Sequence, residues 1–218
     1  NPVKFNPEYW ADLAKEAGMK YFVFTTKHHD GFCMWDTRET DYKVTSSECP
    51  YHTAPNPDIL KELFGAFQKR DFMIGAYFSK PDWNSPYYWS EKFCDFTYNQ
   101  IRELMTGYGN VDIIWLDGGW VAPENRGQDI KMDRIVDMAR GYQPGLIVVD
   151  RWVGGKYENY RTPEQKAEVL ARAAANQKTA VSSVEAKGVA PAAATVTATK
   201  TEAPAAAATT VVNAPVAG

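Results

Sequence analysis

The chain has little histidine, few cysteines and no surplus of positive charge, and each shortage removes a class of function. Three histidines in 218 residues, His28, His29 and His52, leave few nitrogen ligands for a zinc centre, so no metal is expected. Three cysteines, Cys33, Cys49 and Cys94, form no C-x-x-C pair, and an odd number is a poor disulfide framework. A net charge of −3 argues against a nucleic-acid partner, which demands a basic face. No apolar run approaches membrane-spanning length, and no apolar core follows Asn1-Pro2-Val3-Lys4, so neither a membrane segment nor a signal peptide is expected. Aromatic residues stop at Tyr160. From Lys178 onward the chain is Ala, Thr, Val and Pro with scattered Lys and Glu, too small in side chain to offset its ordering entropy. Residues 167–218 are therefore expected to form a disordered, low-complexity tail, separate from a folded region over residues 1–166.

Within that region one pattern recurs. Asn6-Pro7-Glu8 reads as a helix start, followed by an apolar stripe at Trp10, Leu13, Ala14 and Ala17 and a closing Gly18. Tyr21–Thr26 reads as a strand, and a loop spans about Thr37 to Pro55. The cycle repeats with a helix after Asn56-Pro57-Asp58, a strand at Phe72–Ser79, a helix over Trp89–Tyr108, a strand at Val111–Leu116, a helix over Ile130–Tyr142 and a strand at Leu146–Val149. Four helix-then-strand units imply an α/β fold with a parallel sheet, either an open doubly wound sheet or part of a (β/α)8 TIM-like barrel. No Gly-x-Gly-x-x-Gly follows the first strand, which weakens the dinucleotide-binding form and leaves no cofactor expected. His28, His29, Tyr77, Ser79, Asp117 and Arg151 all fall at C-terminal strand ends. These ends share one face of a parallel sheet, and a mouth so lined is the pattern of barrel enzymes.

Asp117 is the focus of that mouth. It ends the apolar run Val111–Leu116 and precedes Gly118-Gly119, which leave room for a sharp turn. In a regular strand His28 and His29 would point to opposite faces, so joint ligation of one metal is not expected. If Gly31 turns the backbone, both can bond hydroxyl groups. Cys33 lies near His29 but reads as a structural thiol. Trp35, Tyr77, Trp83, Trp115, Trp120 and Trp152 cluster near the strand ends, and flat rings beside a carboxylate suit the apolar faces of a sugar. Hydrolysis of a glycoside needs a second carboxylic acid, for which Glu158 and Glu164 are the candidates.

Lys27-His28-His29-Asp30-Gly31-Phe32, Trp115-Leu116-Asp117-Gly118, Asp150-Arg151-Trp152 and Thr162-Pro163-Glu164-Gln165 resemble, in this order, the α-L-fucosidases of glycoside hydrolase family 29. The resemblance runs from residue 1 to about Lys166. It implies the second to fifth strands of a (β/α)8-like catalytic barrel and a retaining exo-hydrolysis through a fucosyl-enzyme intermediate. By the same resemblance Asp117 is the nucleophile and Glu164 the acid/base, with Glu158 second. His28 and His29 match a fucose-binding pair, and Tyr77, Trp115 and Arg151 contact the sugar or hold the nucleophile. Trp35 is added to the substrate-binding set from the aromatic grouping. The implied partner is a fucosylated oligosaccharide or glycoconjugate, met in a secreted, periplasmic or lysosomal setting. The alternatives are an inactive carbohydrate-binding remnant and, from a different class, a metal-dependent barrel hydrolase.

Overall fold

The computed structural model describes residues 2–118, 121, 128–150 and 159–160, all within one unit of the chain, residues 1–171. The expected boundary near residue 166 and the Ala/Thr/Val/Pro-rich segment lie outside the described residues.

Among the described residues four helices alternate with four strands: α1 Pro7–Glu16, β1 Tyr21–Lys27, α2 Ile59–Gln68, β2 Met73–Ser79, α3 Lys92–Gly107, β3 Ile113–Asp117, α4 Met132–Tyr142 and β4 Ile147–Asp150. The starts of the first two helices have local causes. The Asn6 side chain accepts from the Tyr9 amide at 3.0 Å, with Pro7 opening the helix, and the Asp58 side chain accepts from the Lys61 amide at 3.0 Å. The third helix starts later than its apolar stripe suggests. Trp89 has φ +69°, outside helical space, so the first turn forms only at Lys92. The long loop after β1 carries a short 3-10 turn, Pro50–Thr53, set off by Pro50.

All four strands are parallel, and their order is β1-β2-β3-β4. A doubly wound sheet reverses its strand order at a switch point, whereas this one never does. Sequential order is that of an arc of a barrel. In-register partners make rows across the sheet. One row is Val23, Gly75, Ile113 and Ile147, and the next is Thr25, Tyr77, Trp115 and Val149. Gly75 is required in its row, since a Cβ there would meet Val23 Cγ2 at 2.6 Å. The alternate residues Ile74, Ala76, Phe78, Ile114, Leu116 and Val148 are at most 1% exposed and share a core with Leu60, Leu63 and Phe64 of α2 and Ile101 and Leu104 of α3. Each of the Ile, Leu, Val and Phe side chains contributes roughly 1.5–3 kcal/mol by leaving water, and Ala76 less.

Candidate active site

Asp117 is the last residue of β3 and is 9% exposed. The Tyr77 hydroxyl donates to its Oδ2 at 2.6 Å, and the Gly118 amide donates to its Oδ1 at 2.8 Å. The sheet register explains the first contact: Tyr77 lies opposite Trp115, two residues before Asp117 and on the same face. The second contact depends on Gly118, which has φ +93° and in which a Cβ would fall on the Pro81 ring. The Lys80 amide donates to the Asp117 carbonyl at 2.9 Å, tying the end of β3 to the chain leaving β2. The carboxylate is thus oriented by two short donors, with neither oxygen left to rotate.

The histidine pair reaches this carboxylate through a change of backbone direction. The register of β1 shifts between Thr25 and Lys27, and the chain then doubles back so that Lys27 bridges Cys33 in antiparallel fashion. The Gly31 amide closes the turn on the His28 carbonyl at 3.1 Å, with Gly31 at φ +86°. His28 and His29 both sit in this turn rather than in a regular strand. Contrary to the alternation expected of a strand, their rings lie 4.3 Å apart. One ligand atom from each of His28, His29 and Asp117 lies within 4.8 Å of the others. The His28 ring runs parallel to Tyr77, 5.8 Å between centroids and 6° between planes. His29 Nδ1 meets Ser79 Oγ at 2.6 Å. Such a trio can bond adjacent hydroxyl groups of one small molecule, and its spacing would also admit a transition-metal ion.

Beneath the turn lies a charged pair that the sequence reading did not single out. Lys27 Nζ donates to Asp82 Oδ2 at 3.0 Å and to Gln100 Oε1 at 3.0 Å, with the Lys27 and Asp82 side chains 0% and 2% exposed. The ammonium also lies 4.4 Å from the Phe78 ring centroid. The other Asp82 oxygen, Oδ1, accepts from the amides of Asn84 and Ser85 at 3.2 and 2.8 Å. The turn is held against this loop by the Trp83 amide, which donates to the His29 carbonyl at 2.9 Å. A Cβ on Gly31 would collide with Asp82, so only glycine lets the two loops close. The available signal was a lysine at the end of an apolar strand, where an unpaired charge is not tolerated.

The other expected site residues divide three ways. Trp115 is half-buried beside Tyr77 on the open face of the sheet, where it can meet a ligand. Trp35 is a correction. It is 0% exposed, donates its indole N–H to Glu103 Oε2 at 3.1 Å and lies 6.5 Å from Phe78, so it is a core ring with no face toward the mouth. Trp83, grouped with the aromatics in sequence, stands 65% exposed with its ring 5.5 Å from that of His29. Arg151, Glu158, Glu164, Trp120 and Trp152 lie outside the described residues. Cys33 is buried and its thiol is pushed up to about 12 by burial, as befits a structural thiol. His52 stays in the exposed 3-10 turn, bonded to the Cys49 carbonyl at 2.8 Å.

The comparisons with known proteins agree on one group. The family model described as alpha-L-fucosidase matches residues 1–182. The chain is 30% identical to alpha-L-fucosidase 1 of Arabidopsis thaliana, over 71% of this chain and 31% of the relative. It is 32% identical to the human tissue alpha-L-fucosidase, over 68% of this chain and 32% of the relative. Among solved structures it resembles alpha-L-fucosidase isoenzyme 1 from Paenibacillus thiaminolyticus, with TM-score 0.62 and 34% identity over 71% of this chain and 40% of that one. It also resembles a Bacteroides thetaiotaomicron alpha-L-fucosidase trapped as a covalent intermediate with 2-fluoro-fucosyl fluoride, with TM-score 0.60 and 31% identity over 75% of this chain and 41% of that one. The chain spans about a third of the length of these two curated relatives.

Proposed function

The chain belongs to the α-L-fucosidase family, and from that premise we propose that it carries the nucleophile half of a retaining exo-α-L-fucosidase site. The observation that carries the reading is Asp117, held by Tyr77 and Gly118 within reach of both imidazoles. The Asp117 carboxylate attacks the anomeric carbon of a terminal fucose, and the bond from that carbon to the aglycone oxygen breaks. Glu164, or else Glu158, gives its proton to the departing oxygen. The same residue then takes a proton from water, which attacks the fucosyl ester and frees Asp117, so two inversions retain the configuration. His28 and His29 bond fucose hydroxyls, Trp115 packs on the ring and Arg151 completes the contacts. In a retaining pair the Asp117 and Glu164 carboxyl groups stand about 5–5.5 Å apart. The substrate is a fucosylated oligosaccharide or glycoconjugate, in a secreted, periplasmic or lysosomal setting. Among the described residues no helix is long and apolar enough to cross a membrane.

The test is hydrolysis of a chromogenic α-L-fucoside by the 218-residue chain, with Asp117→Gly as the control. Release of the chromophore by the native chain and none by the variant supports the enzyme. Binding of L-fucose by titration without release supports a carbohydrate-binding remnant. The spacing of His28, His29 and Asp117 favours one further reading, a metal-dependent hydrolase. Activity that falls with a chelator and returns with zinc would replace the glycosidase with that reading.

A further inference from the structure

Ser79 closes β2 in the row of Asp117, and its hydroxyl makes two contacts of opposite kind. It lies 2.7 Å from the Pro81 carbonyl and 2.6 Å from His29 Nδ1. A carbonyl oxygen has no proton, so Ser79 must donate there, and a hydroxyl has one proton to donate. The contact with His29 must then run the other way, with the Nδ1–H donating to Ser79 Oγ. Ser79 is fully buried and Pro81 has no amide, so neither water nor a local amide offers the hydroxyl another arrangement.

We propose that Ser79 is a positioning residue that fixes the tautomer of His29, so that Nε2 of the neutral ring acts as a hydrogen-bond acceptor for a fucose hydroxyl. The inference rests on the fucosidase reading for the identity of the sugar, while the tautomer follows from the Ser79 and Pro81 geometry alone. The scaffold suits the role. The His29 carbonyl is held by the Trp83 amide at 2.9 Å, and the Lys27–Asp82 pair fixes the loop that carries Trp83. The ring is therefore anchored at its backbone and at Nδ1. An accepting Nε2 makes the sugar hydroxyl the donor. A sugar with fluorine in place of that hydroxyl should then bind no better than the deoxy sugar, because fluorine donates nothing.

The experiment is long-range proton–nitrogen NMR of the 15N-labelled full chain, on the alkaline side of the His29 titration, with titration of L-fucose beside it. The expected result is a protonated Nδ1 and an unprotonated Nε2 at His29. In Ser79→Ala the signals should move toward a mixture of tautomers. The fucose dissociation constant should rise by roughly three- to tenfold with the melting temperature little changed, the effect of one lost hydrogen bond. Ser79→Thr keeps the hydroxyl and should restore both signals and affinity, which also decides the matter if the alanine variant does not fold. A native spectrum with the proton on Nε2 would overturn the proposal, as would an unchanged tautomer in a folded Ser79→Ala. Absence of fucose binding with the expected tautomer present would instead count against the sugar reading.

Discussion

On the helix-covered face of the sheet, Ile74, Ala76, Phe78, Ile114, Leu116 and Val148 are at most 1% exposed. On the other face of the same strands Tyr21 and Met73 are each 41% exposed, and Val23, Tyr77, Ile113, Trp115 and Ile147 are only half-buried. In a closed barrel this second face is the packed interior. On the proposed reading the two faces separate stability from chemistry. Side chains on the covered face have neighbours on all sides and little freedom. Those on the open face end upward in Tyr77, Trp115 and Asp117, where a ligand can supply the missing contacts. The buried polar groups divide in the same way. Lys27 and Asp82 point into the helix side and brace loops, while Asp117 and Ser79 bond Tyr77 and His29 at the strand ends.

The largest effect should come from crossing the two faces. Asp117→Gly is expected to reduce fucoside turnover below detection while leaving thermal melting near that of the native chain, because the Tyr77 hydroxyl it releases lies at the mouth rather than in the apolar core. Leu63→Ala, on the covered face, should cost about 2–5 kcal/mol of stability. Its turnover per folded molecule should hold. A collapsed melting curve for Asp117→Gly would break the separation.

Next in size is Lys27→Ala. Removing one partner of a buried pair leaves the other charge stranded, at a cost of about 3–5 kcal/mol. Because Asp82 anchors the loop bonded to His29, this variant should lose sugar affinity as well as stability, which neither Leu63→Ala nor an open-face variant should do. A Lys27→Met/Asp82→Leu double variant should recover stability more fully than affinity. Equal recovery of both would mean the pair only fills space.

Tyr77→Phe comes third. It deletes a 2.6 Å hydrogen bond to a carboxylate and keeps the ring against His28. Bonds of that kind contribute about 1.5–3 kcal/mol. The rate constant for turnover should fall by roughly ten- to a hundredfold with melting unchanged, measured by steady-state kinetics and calorimetry. A loss confined to the Michaelis constant would place Tyr77 on the sugar rather than on Asp117.

These comparisons also mark what the amino-acid order discloses. The eight elements and the Asp117 strand end were legible, because apolar periodicity and the Asn6-Pro7 and Asp58 caps act over a few residues. The barrel arc was legible from the polar residues at the strand ends and from the family resemblance, but not from helix–strand alternation, which an open sheet and a barrel share and which leaves open which strands pair. The meeting of His28 and His29 was foreseen only as a possibility of Gly31. It depends on the register shift after Thr25, which is set by contacts with β2. Trp35 was misplaced because an aromatic near a strand end looks alike whether it lines a mouth or, bonded to Glu103, plugs the core. The Lys27–Asp82 pair joins residues far apart in the chain, and no local pattern announces such a partner.

The smallest expected effect lies away from both faces, on the outside of α1 and α2. Arg70 donates to Glu8 and Asp12 at 2.6 Å each, and Lys69 donates to Glu8 at 2.9 Å. Hydrogen bonds from Lys69 and Arg70 hold the Glu8 carboxyl below the usual carboxylate range, and Arg70 does the same for Asp12. A depressed folded-state pKa contributes stability above the unfolded carboxylate range, and that contribution is lost as pH falls through the folded value. Both carboxylates are exposed, so screening by water and salt keeps the contribution small. The isosteric double variant Glu8→Gln/Asp12→Asn removes the charges and little else. At neutral pH and low salt its melting temperature should drop slightly. The difference from the native chain should close in about 1 M salt, where the Debye length is about 3 Å, and again in acid. Fucoside turnover should not change. A drop as large as that of Leu63→Ala, or one that persists in high salt, would mean that α1 is held to α2 by these charges more than by the buried contacts beneath them.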